Sequence, residues 1–198
     1  MHKSSLDKMN KFREDYLDEH LHRKLKILDI GSCDVNGSYK HIFEDVDNWI
    51  YVGADITVGN NVDVVLADLY DWKEIKSNTY DVVITGQTFE HIEFFWITVL
   101  EIWRILKPGG YCCIIAPSAG HEHKFPVDCW RFYPDGFRAL CKYSGLVELK
   151  IYTQWDSMNY DDGSDVWRDS VLICKKPHLP FIQEILRSIR NYCIRKIF

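Results

Sequence analysis

The chain has 198 residues, 46% of them apolar and 27% charged, with a formal net charge of -5. That length holds one full α/β domain and is short for two, and the composition excludes wholesale disorder. The negative balance argues against broad binding to a nucleic-acid backbone, which needs a basic surface.

Met9, Phe12, Tyr16 and Leu21 recur at near-helical spacing among charges, which predicts an amphipathic helix within residues 1–24. The charges exclude the apolar core of a leader peptide, and no later run approaches the ~18 apolar residues of a membrane span, so a cytoplasmic protein is expected. "KILDI" then reads as a strand, "GSYKHIFEDV" as helix-compatible, and "WIYVGADI", "VDVVLADL" and "YDVVITG" as three more strands. From Ile92 onward Phe95, Val99, Trp103 and Leu106 keep a period of three to four, a long helix that "KPGG" at 107–110 stops. "YCCIIAP" is a fifth strand closed by Pro117, with Cys112 and Cys113 facing opposite ways. Seven cysteines without a CxxC pair fit buried thiols in a reducing compartment.

Residues 118–134 show no period and read as a long loop. "PDGFRALCKYSGL" is a helix ended at Gly145, and "VELKIYTQW" and "VWRDSVLICKK" are two final strands around the turn "YDDGSD". Strands alternating with helices predict an α/β domain over 25–176: a mostly parallel sheet with helices on both faces and an antiparallel C-terminal hairpin. Residues 177–198 form an appended helix. From Lys175 on, six basic residues face one acidic one, and Ile182, Ile185, Leu186, Ile189, Cys193 and Ile197 share a helical face. Such a helix packs on the domain, pairs with a second subunit as a homodimer, or lies on an anionic membrane surface.

"LDIGSCDVNG" occupies the first strand–loop–helix crossing, the usual ligand position in an open parallel sheet. Gly31 lets backbone approach a ligand without a Cβ, and Asp29 can accept hydrogen bonds from a cationic amine. Asp55 ends the second apolar run roughly 20 residues on, where a carboxylate reaches a ribose diol. The GxGxxG fingerprint is not met. Cys33 stands at its second glycine, which disfavours a pyrophosphate, whereas a nucleoside without phosphates needs less. The loop alone also reads as a structural turn with a capping aspartate.

From about Leu25 to Lys175 the chain resembles the class I S-adenosylmethionine-dependent methyltransferases. "ILDIGSCDVNG" is similar to their first motif and "YVGADI" to the second. "VVLADLYDW" resembles the adenine-side motif, and "YDVVITGQTFEHI" with "ILKPGGYCCIIAP" the fourth and fifth strands. A closer likeness, through "DVNGS" and the later "H…P.D.WRF.P" pattern, is to a branch found among glycan-modifying methyltransferases. The resemblance implies a Rossmann-like doubly wound fold with S-adenosylmethionine as cofactor. It places Asp29, Gly31, Ser32, Gly37, Asp55, Ile56, Asp68, Leu69 and Gln87 around that cofactor. It also implies a small-molecule or glycan acceptor, with O-methylation of a sugar or glycan intermediate as the expected reaction. The alternatives are an N- or carboxyl-methyltransferase of a small metabolite, and a non-catalytic S-adenosylmethionine-binding module. Cys33 and the non-acidic Gln87 keep the last one open.

A hydroxyl acceptor must lose its proton, which calls for a base with a pKa near working pH. "SAGHEHKFPVDCWRFYPDG", residues 118–136, is the densest candidate stretch. His123 is the first choice for base and His91, expected to start the long helix, the second. Asp128 and Arg131 orient the loop or bind acceptor hydroxyls. The same loop also reads as stapled to the body by Asp128–Arg131 pairing and buried rings. His91 reads equally as a packing or capping group, and Glu90 or Glu93 as favouring the helix N-terminus. His121, His123 and Asp128 could make a facial triad. HxH is common by chance, however, and no second carboxylate cluster accompanies it, so no metal is expected.

Overall fold

The computed structural model describes residues 2–197. Among them seven strands form one sheet: β1 (Leu25–Ile30), β2 (Trp49–Asp55), β3 (Val64–Val65), β4 (Tyr80–Gly86), β5 (Leu106–Ala116), β6 (Val147–Thr153) and β7 (Ser170–Lys175). Their order is β3-β2-β1-β4-β5-β7-β6. The first five pair in parallel, and β7 runs antiparallel to both β5 and β6. This is the expected Rossmann-like doubly wound sheet with its antiparallel C-terminal pair. The strand order reverses between β1 and β4, which places the ligand crevice at their carboxyl ends.

Strands buried on both faces need continuous apolar runs, and alternate residues divide between two cores. Leu28, Ile30, Val83, Cys112 and Ile114 pack on one face under α3 (Phe95–Ile105) and α4 (Pro134–Ser144). Ile27, Val82, Ile84, Cys113 and Ile115 line the other, covered by α1 (Lys3–Tyr16) and α2 (Lys40–Phe43). Met9 and Phe12 of α1 are buried there, as their spacing predicts, while Leu21 is exposed beyond the helix end. Pro134 opens α4 and Gly145, at φ +84°, closes it in the left-handed conformation that glycine adopts without strain.

Several elements are shorter than the pattern predicts. The helix expected over "GSYKHIFEDV" is one turn, Lys40–Phe43, entered through Ser38, whose hydroxyl accepts the Lys40 amide at 3.0 Å. β3 keeps two residues because it pairs only with the end of β2, after which Asp68 turns the chain by accepting the Tyr70 amide at 2.7 Å. The long helix starts at Phe95 rather than Ile92, because Phe89–His91 forms a separate 3-10 turn. That helix stops before "KPGG" as expected, but these four residues belong to the start of β5, where the register with β4 shifts between Tyr80 and Val82.

The helix α5 (Phe181–Ile197) lies against α3 with an inverted amphipathic face. Asn191 and Arg195 point inward, Arg195 pairing with Glu101, while Phe181, Ile182, Leu186, Ile189 and Ile197 are exposed. The apolar stripe is therefore not packed on the domain. No described helix is long and apolar enough to cross a membrane.

Candidate active site

The loop after β1 folds back on the end of β2. The Gly31 and Ser32 amides both donate to the Ala54 carbonyl, and the Cys33 amide donates to Asp55 at 3.1 Å. Asp55 spends its second oxygen on the amide and hydroxyl of Thr57, both at 3.0 Å. One carboxylate thus ties two turns at the sheet edge. Gly31, at φ +77°, is required by its neighbour: a Cβ there would sit 2.2 Å from Thr88 Oγ1. The structural-turn reading of Gly31 therefore holds beside any contact with a ligand.

Asp29 is buried and accepts the Tyr51 hydroxyl at 2.5 Å. Burial pushes its carboxyl up to about 7, against the opposing pull of the Tyr51 hydrogen bond. Ser32 is buried, its hydroxyl donating to the Asn61 carbonyl at 2.8 Å, and Asn61 ties the loop to Ser38 and Tyr51. Gly37, at φ +109°, donates to Asp34 at 2.7 Å. A cleft of about 440 Å³ opens beside Asp34, Gly37, Ser38 and Asn61, toward α2. Ile56 and Asp68 are exposed on the neighbouring turns, and Leu69 is half-buried. Gln87, at φ +57°, sits where β4 leaves the sheet, and its amide nitrogen donates to Asp169 at 3.0 Å.

On the other side of β4, residues 117–133 are laced onto the 3-10 turn. The Cys129 and Trp130 amides donate to the Glu90 carbonyl, and the Trp130 indole donates to the carbonyls of Ile92 and Glu93 at 3.1 Å. Phe132 packs against Phe89, Phe95 and Phe137. Asp128 and Arg131 form a bidentate pair at 2.6 and 2.9 Å, and Asp128 also accepts the His123 amide at 2.7 Å. The Arg131 guanidinium holds the Asp128 carboxyl well below the usual carboxylate range. Both side chains are occupied with each other, so they position the loop.

That lacing brings His123 to His91, ring centroids 5.0 Å apart in an edge-to-face arrangement. His91 Nδ1 lies 2.5 Å from the Val127 carbonyl oxygen. A carbonyl only accepts, so Nδ1 carries the proton and Nε2 is left with its lone pair. Burial lowers the His91 pKa, keeping the ring neutral near physiological pH. His121 is not part of this pair; it packs on Trp167, as do His2 and His123.

The sequence left three residues of this region unassigned to the site. Glu90 is fully buried beside both imidazoles, its Oε1 3.7 Å from His91 Nε2, and burial raises its carboxyl to about 8. Asp169, buried at the start of β7, receives the Ser4 hydroxyl and the Gln87 amide, which pins the first turn of α1 over the end of β4. Trp167 supplies the ring on which the histidines gather. Glu90 carries a signal in retrospect: a glutamate amid "TFEHI" would be buried by its apolar neighbours. Asp169 and Trp167 are distant in sequence from every motif.

Residues 28–114 match the family profile described as methyltransferase domain. Among solved structures, the chain is similar to the Burkholderia thailandensis 1,6-didemethyltoxoflavin-N1-methyltransferase with bound 1,6-didemethyltoxoflavin and S-adenosylhomocysteine. That match has a TM-score of 0.67 at 12% identity and covers 89% of this chain and 80% of that one. It is also similar to a chain from the complex between the Haloferax volcanii Trm112 methyltransferase activator and a methyltransferase. There the TM-score is 0.61 at 18% identity, over 88% of this chain and 96% of that one. A third similar structure, the Haemonchus contortus phosphoethanolamine N-methyltransferase 2 with S-adenosyl-L-methionine, gives 0.58 at 15% identity, over 79% and 49%. A carbon methyltransferase is also among the similar folds. No curated protein sequence matches the chain.

The matched methyltransferase domain, together with a fold shared with methyltransferases, supports an S-adenosylmethionine-dependent methyltransferase. Its cofactor is S-adenosylmethionine, and the chemistry of its acceptor differs among these similar structures.

Proposed function

We propose that the enzyme transfers the methyl group of S-adenosylmethionine to a hydroxyl oxygen of a sugar or glycan intermediate. The observation that carries this reading is the His91–His123 pair, held at the crevice end of the sheet with His91 Nε2 bare. Methyl transfer from a sulfonium is an in-line displacement in which positioning supplies most of the rate. An alcohol adds one requirement, removal of its proton as the new bond forms, and a neutral imidazole meets it. Glu90, His91 and His123 would form the acceptor side, with Asp128 and Arg131 fixing the loop. Asp29, Gly31, Ser32, Gly37, Asp55, Ile56, Asp68, Leu69 and Gln87 would form the cofactor side. Exposed Tyr133 and Trp155, stacked with centroids 6.2 Å apart, offer ring faces for the apolar face of a sugar.

Residues 25–176 would be the catalytic body. The outward apolar surface of α5 would meet a second subunit or a membrane surface. Methylation of nitrogen is the second reading, favoured by the nitrogen methyltransferases among the similar structures. The test is turnover of hydroxylated and amine acceptors by His91→Ala and His123→Ala. The hydroxyl reading expects kcat to fall by about 10²–10⁴ with cofactor affinity unchanged. Near-wild-type kcat in both folded variants transfers the argument to nitrogen.

A further inference from the structure

We infer that Glu90, His91 and His123 form a binding site for a divalent transition-metal ion of the zinc class. One ring nitrogen of each imidazole and a carboxylate oxygen of Glu90 lie within 4.8 Å of one another. Glu90 is fully buried, and neither of its carboxylate oxygens has a hydrogen-bond partner. His123 Nδ1 is buried without a hydrogen bond too, though it stands 3.3 Å from the Asp128 carboxylate. Two unpartnered oxygens on one fully buried carboxyl are costly, and a bound cation is one way in which such a group is satisfied.

The surroundings have the form of a metal site. His91 Nδ1 donates to the Val127 carbonyl, the outer contact that fixes a ligating imidazole and aims its Nε2. His123 is set by its own amide bond to Asp128, which Arg131 neutralises, so the nearest fixed charges cancel. Two imidazoles and one carboxylate make a three-ligand set that leaves a position open, and these donors select zinc-like ions over magnesium or calcium. Tetrahedral donors at metal–ligand lengths of ~2.0–2.1 Å stand ~3.4 Å apart, so the three groups must close by roughly an ångström, within the reach of side-chain rotation. An ion there would take up the His91 Nε2 lone pair, so in the ion-bound enzyme the ion, by polarising the acceptor oxygen and easing loss of its proton to water, would replace the imidazole as the activating group. In that respect the inference rests on the hydroxyl reading; binding of the ion does not.

The test is calorimetric titration of Zn²⁺ alone into the full chain after chelation and dialysis. One ion is expected per chain. Glu90→Gln and His123→Ala should weaken it by at least the ~10–100-fold that loss of even an outer partner produces, and His121→Ala should not. His123 is on a partly exposed loop, so its variant keeps the test valid if Glu90→Gln fails to fold. No binding to the wild-type chain, equal binding by His123→Ala, or loss in His121→Ala overturns the site. Because calorimetry reads the ion, its failure leaves the hydroxyl reading standing, and intact Zn²⁺ binding without hydroxyl methylation strikes only that reading.

Discussion

Replacing Asp29 by asparagine should stabilise the free protein at alkaline pH and weaken its hold on the cofactor. The carboxyl is buried, with its folded pKa raised from about 3.8 to about 7. A group raised in this way binds its proton more tightly when folded. Its contribution is fully present below the unfolded value and is lost as pH rises through the folded one. Three units correspond to a ceiling of about 4 kcal/mol, of which roughly 2–3 kcal/mol is lost between pH 5 and pH 8. Asparagine keeps an oxygen for the Tyr51 hydroxyl, now at 2.5 Å from the carboxylate, and carries no charge. Urea unfolding of wild type and Asp29→Asn at pH 5 and pH 8 should therefore show the variant's advantage widening by about that amount. A difference that does not change with pH refutes the raised pKa. With S-adenosylmethionine present, its ammonium group would favour the ionised carboxylate, so calorimetry should show weaker cofactor binding by the variant.

Gly31→Ala should cost about 1–3 kcal/mol, because its φ of +77° strains alanine and the new Cβ meets Thr88; thermal or urea unfolding reads the loss. Asp55→Ala should weaken cofactor binding by ~1.5–3 kcal/mol, and unchanged affinity in calorimetry removes Asp55 from the cofactor side. Phe137→Ala should destabilise the fold by about 3–5 kcal/mol, since its buried ring stacks on Phe132 at 5.2 Å. Asp128→Ala should free Arg131 and the His123 amide together, lowering kcat with little change in cofactor affinity; steady-state kinetics and a cofactor titration separate the two.

The sheet was legible because each strand declares itself locally: apolar runs such as "YDVVITG" are buried on both faces and bounded by turn residues. Helices with a sustained period, α3 and α4, were legible for the same reason. Short elements were not. α2 and β3 are limited by what pairs with them, which the pattern of either segment alone does not contain. α5 shows the same limit, since its periodic face was readable but its inward choice of Asn191 and Arg195 depends on Glu101 of α3. At the site, the motifs placed Asp29 and Gly31 at the crevice, while the Tyr51 hydroxyl on Asp29 and the Thr88 side chain against Gly31 come from β2 and from the turn after β4. Glu90 appeared as a helix-terminus charge. Its burial beside His123, 33 positions away in the chain, arises only when the 118–134 loop is laced back onto the 3-10 turn.

The central claim is tested most directly by following the methyl carbon. The enzyme is incubated with S-adenosylmethionine labelled at that carbon and a panel of sugars, glycans and amines, and the product is read by carbon NMR. The account predicts label on a sugar hydroxyl oxygen, formed by the wild type and sharply reduced in His91→Ala and His123→Ala; label on nitrogen or carbon, or no transfer to any hydroxyl, would contradict it.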